Sequence, residues 1–171
     1  MGKQYQSAGP GIDQRIEALR SKYYDSLDGV TVGALFVFDQ DENIQVLTHH
    51  GYPAAALIRI VGARDRAAGL PDAQMVIDKC VWESCESKRQ IAILDHELYH
   101  LERVVDKHGT HLFDSVDRPR LRIRKHDWSF GWFDEIAKRH AEHSIEVLEA
   151  ERLLRGSGQL YFQFGPEQKV A

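Results

Sequence analysis

Apolar positions change their period several times along this chain, and each change predicts an element. Within Asp13–Tyr24 the residues Ile16, Leu19 and Tyr23 share one side at helical spacing. Residues 30–38 (VTVGALFVF) are rich in β-branched and aromatic side chains, which fit a pleated strand. After a polar turn at Asp39–Asn43, short apolar runs predict strands at Ile44–Thr48, Ala56–Val61 and Ala73–Asp78, with a connector at Arg64–Gly69. A long helix is expected next. Ser87 and Gln90 fit a capping box at its start, the pattern runs on to Lys107, and Gly109 sits where helices stop. His111–Pro119 reads as a loop and Leu121–Ile123 as a further strand. A second long helix is expected from about Phe130 to Arg155, capped by Asp127 and ended by Gly156, Ser157 and Gly158. The apolar run QLYFQF beyond it is expected to add a strand or pack on the surface.

These elements predict an α+β domain: a small mixed sheet of about four strands against the first long helix, with the second behind it. The expected organisation is a mobile polar arm over 1–11, one domain over 12–155 and a tail over 156–171. At 171 residues the chain is long enough to bury a core without disulfides. Its two cysteines, Cys80 and Cys85, are too few for a disulfide framework and read as reduced thiols. No secretory signal pattern and no long apolar run is present, so a cytoplasmic location and no membrane partner are expected. The net charge of −4 argues against general affinity for nucleic acid. The basic run Arg118, Arg120, Arg122, Arg124, Lys125 also suits the solvent face of a strand.

One motif carries chemistry. Residues 94–101 read Leu-Asp-His-Glu-Leu-Tyr-His-Leu. On a helix, His96 and His100 fall one turn apart on one face, where both imidazoles can meet one ion. Glu97 then points beside the ion, placed to take a proton from an activated water. Three fixed positions do occur by chance. Here, however, Leu94, Leu98, Leu101 and Val105 make an apolar stripe, with the two histidines roughly opposite. That arrangement suits a helix with one face in a core and the other in a cleft. Asp95 either orients a structural contact or is exposed, and Tyr99 reads as packing.

A catalytic zinc site usually takes three protein ligands. A glycine-turned return of the chain would put Asp106 in third place, but Arg103 stands where the glycine is needed. A carboxylate from the later helix would be Glu135 or Glu142, each of which also suits a solvated helix face. His126, between a strand and a helix, is the favoured third ligand, because two regular elements would fix its geometry. His108, His111, His140 and His143 are reserves.

Three segments carry a family likeness: PDAQMVIDKCVW (71–82), QIAILDHELYHL (90–101) and DRPRLRIRKHDWSFGWFDEIAKRH (117–140). On these the chain resembles the putative phage metallopeptidases, small zincin-like proteins akin to minimal SprT-like zincins, over a stretch starting near Ile44. The resemblance implies a peptidase with His96, His100 and His126 as ligands of one zinc ion (Zn2+) and Glu97 as base. It also implies action on a peptide or protein in the cytoplasm of a bacterial host. In zincins the strand before the active helix often pairs with an extended substrate, which makes Gln74, Val76 and Asp78 the expected substrate-binding residues. His111, Tyr99, Arg120 and Arg122 are candidate oxyanion donors. A metal-binding interaction module without catalysis is the alternative, since a fold does not fix a use.

Overall fold

The computed structural model describes residues 2–40, 44–126 and 132–156. Strand β1 (Gln4–Ser7) leads into helix α1 (Pro10–Tyr23), and a single 3-10 turn (Asp25–Leu27) leads out to strand β2 (Val32–Phe38). A small hairpin, β3 (Thr48–His49) and β4 (Tyr52–Pro53), precedes β5 (Ala56–Ile60), the short helix α2 (Ala63–Ala67) and β6 (Ala73–Asp78). Helices α3 (Lys79–Ser84) and α4 (Ser87–Tyr99) follow, then β7 (Leu101–Arg103) and β8 (Leu121–Ile123). Helix α5 (Asp134–His140), a 3-10 turn (Ala141–His143) and α6 (Ile145–Gly156) complete the described chain. This is an α+β architecture.

The main sheet has the order β1-β2-β6-β5. Strand β1 is antiparallel to β2, β2 parallel to β6, and β6 antiparallel to β5. Because side chains alternate across a strand, β6 feeds two apolar layers. Met75 and Ile77 join Ile12, Ile16 and Leu19 of α1 and Ile93, Leu94 and Leu98 of α4 in the larger core. Val76 faces the other way, onto Val37 and Leu47. Helix α4 is therefore clasped rather than half-solvated, and every residue from Ala92 to Leu98 is buried.

Several expectations need correction. The N-terminal arm is not free: Gln4–Ser7 pairs with Leu35–Phe38, and α1 begins at Pro10, a residue suited to a first helical turn because it has no amide to leave unpaired. The predicted strand at Ile44–Thr48 is mostly irregular. Its amides at Val46 and Leu47 instead donate to the Asp78 carboxylate, at 2.7 and 2.8 Å. The connector at Arg64–Gly69 contains α2.

Helix α4 ends at Tyr99, not near Lys107, and Leu101–Arg103 becomes a strand against Leu121–Ile123. Gly109 (φ 84) sits in a turn whose amides at His108 and Thr110 bond the Asp106 side chain. The glycine thus marks a reversal between paired segments, because Val105 bridges His111. The expected capping box is absent. Glu86 is the N-cap, without a side-chain bond, and the Gln90 amide reaches back to the Trp82 and Cys85 carbonyls.

The second long helix is broken in two. Ala141 takes φ 44, and Ser144 caps α6 by accepting from the Val147 amide at 3.1 Å. Asp127 and the QLYFQF segment lie outside the described residues. Both cysteines are free. Among the described residues, no helix is long and apolar enough to cross a membrane.

Candidate metal centre

The end of α4 and the return of β8 together form the site. His96 and His100 project from the last turns of the helix, and the β7–β8 pairing then carries the chain back beside that end. The Arg124 amide donates to the His100 carbonyl at 2.7 Å, and the Arg124 carbonyl accepts from His100 Nδ1, also at 2.7 Å. Two residues later His126 reaches the helix face. Its Nε2 lies 3.3 Å from His96 Nε2. His96, His100 and His126 each present a ligand atom, all within 4.8 Å of one another.

This donor set fits a divalent metal ion. His96 Nδ1 lies 2.7 Å from Glu146 Oε1 and His100 Nδ1 is bonded to a carbonyl, so both rings carry their proton on Nδ1 and turn a bare Nε2 inward. Ring nitrogens that converge in this way make a ready set of donors for one cation. Ligands about 2.0–2.1 Å from one tetrahedral ion stand about 3.3 Å apart, the His96–His126 spacing.

The electrostatics follow from burial. Burial pushes the Glu97 carboxyl up to about 7, against the charge of His96 and a hydrogen bond from the Ile58 backbone, both of which favour ionisation. Burial pushes His100 down to about 4, and the neighbouring histidines add to the fall. For His96, burial also opposes the charged form, but the Glu146 hydrogen bond and the charges of Glu97, Glu146 and Asp95 outweigh it and leave the group raised.

Two residues at this site escaped the sequence reading. Glu146, in the first turn of α6, is 1% exposed and tethers His96. Nothing in its local pattern sets it apart from Glu149 or Glu151 on the same helix. The Ser144 cap signals only that a helix begins there. Phe133 is 0% exposed and lies under the histidines. Its aromatic-rich neighbourhood was visible, but not its contact.

Asp95 proves buried and structural. It accepts from Tyr24 Oη, from Arg139 Nη1 at 2.8 and 2.9 Å and from His140 Nε2 at 2.6 Å. Tyr99 packs on Phe133 and Tyr24, with the Arg124 guanidinium over its ring.

The other candidates lie elsewhere. Asp106 closes the turn at Gly109, Glu135 pairs with Lys138, and Glu142 is exposed on the 3-10 turn. His140 belongs to Asp95 and His143 to Glu86. His108 and His111 are exposed. Arg122 is paired with Glu102, Arg118 with Asp72, and Arg120 is exposed.

The strand expected to pair with substrate lies inside the sheet. Strand β6 is paired on both sides and has no free edge for a peptide. Gln74 bonds the Arg59 guanidinium, Val76 is in the core, and Asp78 is 0% exposed with the amides of Val46, Leu47 and Val81 on its carboxylate.

No curated protein and no solved structure matches this chain. A family match, by contrast, runs over residues 9–156 under the description putative phage metallopeptidase, and it takes in α1 and β2, well upstream of the expected start near Ile44. With a buried glutamate beside three converging histidines and a match over most of its length, the chain belongs to the putative phage metallopeptidase family.

Proposed function

We propose that this protein is a zinc-dependent, zincin-like peptidase in which His96, His100 and His126 hold one zinc ion and Glu97 is the general base. The observation that carries the reading is the convergence of three imidazoles beside a buried carboxylic acid. Zinc suits such a neutral nitrogen donor set. Bound there, the ion would supply Lewis acidity to a scissile carbonyl and to water. Glu97 takes a proton from the attacking water and returns it to the departing amine. A buried carboxyl whose pKa burial raises toward neutrality suits both halves of that task.

The substrate strand moves to β5, the terminal strand of the main sheet. Along the ladder Ala55 and Val61 bond toward β6, so by alternation the backbone groups of Ala56, Ile58 and Ile60 face outward. An extended peptide pairing there would lie beside Glu97, which already receives the Ile58 amide. A peptide or protein substrate in the cytoplasm of a bacterial host fits this reading, with neither a membrane nor nucleic acid required.

The test is metal content by elemental mass spectrometry together with cleavage of a peptide library, for wild type, Glu97→Gln and His126→Ala. The expected result is one zinc per chain in wild type and Glu97→Gln, and its loss in His126→Ala. Cleavage should fall about 10²–10⁴-fold in Glu97→Gln. A wild type that takes up no zinc on reconstitution, or a Glu97→Gln protein that still cleaves at the wild-type rate, overturns the reading.

A further inference from the structure

We propose that Phe133 is a positioning residue of the metal centre: its ring is the shared wall that holds the three imidazoles in register. The inference rests on the metal reading above and deepens it. The ring centroid of Phe133 lies 5.0 Å from His96, 4.8 Å from His100 and 4.8 Å from His126. The imidazoles themselves stand 5.1, 5.2 and 4.6 Å apart. Phe133 therefore caps the triangle of histidines almost evenly, touching each ring rather than one. It covers one side of the triangle with an apolar ring that is itself 0% exposed.

The wall is itself anchored. Phe133 is the N-cap residue of α5 and is fully buried. At the far end of the same helix, Arg139 and His140 both bond the buried carboxylate of Asp95, the residue before His96. Helix α5 is thus fastened to α4 at one end while its other end presses on the ligands. Tyr99, stacked edge-on against Phe133 at 4.8 Å, fills the space beside it.

The physical need is plain. Three imidazoles that turn ring nitrogens toward one point hold a metal position only while their planes stay fixed, and each can leave that arrangement by rotating about χ2. Hydrogen bonds at Nδ1 restrain His96 and His100. His126, on a stretch without regular structure after β8, has its Nε2 3.3 Å from His96 Nε2, and Phe133 packs on its ring as it does on the other two. A smaller side chain at 133 gives all three rings room to turn, so the ion must then pay for ordering them.

The experiment uses the full chain, with Zn(II) and Co(II) as the probes. Metal affinity is measured by chelator competition, and the Co(II) d–d spectrum is recorded, for wild type, Phe133→Leu, Phe133→Met and Ile136→Val. Circular dichroism checks the fold of each apo protein. Phe133→Leu should bind zinc about 10- to 100-fold more weakly, the range seen when groups supporting a ligand are removed. Its Co(II) bands should lose intensity as the coordination loosens. Phe133→Met, which keeps more of the side-chain volume, should recover part of the affinity. Ile136→Val trims a buried side chain of the same helix but keeps the Phe133 ring, and should keep wild-type affinity and spectrum. Wild-type affinity in Phe133→Leu overturns the inference, as does an equal loss in Ile136→Val. A wild type that binds neither metal overturns the peptidase reading, and this one with it.

Discussion

His100 and Arg124 hold each other by two reciprocal hydrogen bonds of 2.7 Å. One runs from the Arg124 amide to the His100 carbonyl and the other from His100 Nδ1 to the Arg124 carbonyl. The pair fixes the rotation of one candidate ligand and, through the chain, delivers another, since His126 stands two residues on. The backbone of residue 124 therefore matters more than its side chain. Arg124→Pro removes the donating amide and should cost most of the bound metal, much as His126→Ala does. Arg124→Ala keeps the amide and loses the guanidinium, which lies 4.2 Å from the Tyr99 ring centroid and 5.6 Å from that of Phe133. It should retain stoichiometric metal, with a penalty of about 0.5–2 kcal/mol in stability. Metal-to-protein ratios by elemental mass spectrometry separate the two, and equal loss in both variants would refute the backbone argument.

Glu146 supports His96 from the far side. A carboxylate on Nδ1 fixes the tautomer and makes Nε2 a better donor, and removing such a partner typically costs 10–100-fold in metal affinity. Glu146→Ala should show a loss of about that size in chelator competition. Glu146→Gln keeps a neutral acceptor and should lose less. Two variants of equal affinity would mean that the charge contributes nothing.

Asp78 is tied into the fold. Its carboxylate carries three backbone amides, those of Val46, Leu47 and Val81. Asp78→Ala leaves these donors unmatched and should lower unfolding stability by about 3 kcal/mol or more. The zinc affinity of the folded fraction should stay at the wild-type value. Urea unfolding alongside zinc titration reads both, and a stable variant that lost peptide binding alone would restore Asp78 to the substrate site.

Asp95 links stability to pH in the metal-free protein. Burial disfavours its charge, yet the bonds from His140 and Tyr24 and the charge of Arg139 outweigh burial and hold its pKa below the ordinary carboxylate range. A folded-state value below the unfolded value of about 3.9 means stability that is full above about pH 4. That stability is lost as pH falls through the folded value. Asp95→Asn should therefore be clearly less stable than wild type at neutral pH, with a gap that narrows on acidification. Melting temperatures of both apo proteins from pH 7 to 3 test this, and a gap constant over that range would contradict it.

Local physics made part of this molecule legible in advance. The i, i+4 spacing of His96 and His100 makes sense only on a helix, and the chain places both at the end of α4. Strands β2, β5 and β6 were readable because β-branched runs bounded by polar turns have few other uses. The family likeness was carried by short segments whose residue types chemistry constrains.

Other features depended on partners distant in sequence. Helical periodicity at 101–107 pointed to a longer helix, but pairing of Leu101–Arg103 with Leu121–Ile123 overrode it, because a ladder satisfies backbone groups and side-chain pattern together. The strand at Ile44–Thr48 failed because Asp78, far along the chain, took its amides. The pairing of β6 on both sides was not foreseen because strand order is not written in any strand, and only the assembled sheet leaves β6 inside and β5 at the end of the order. Glu146 and Phe133 became parts of the site through tertiary packing alone, since a glutamate on an amphipathic helix and a phenylalanine at a helix entry look ordinary until α5 and α6 close over the end of α4. The sequence by itself determined the chemistry available to this protein. Which backbone and side-chain groups meet was decided by the tertiary structure, because every buried polar group must find its partner wherever the fold brings one.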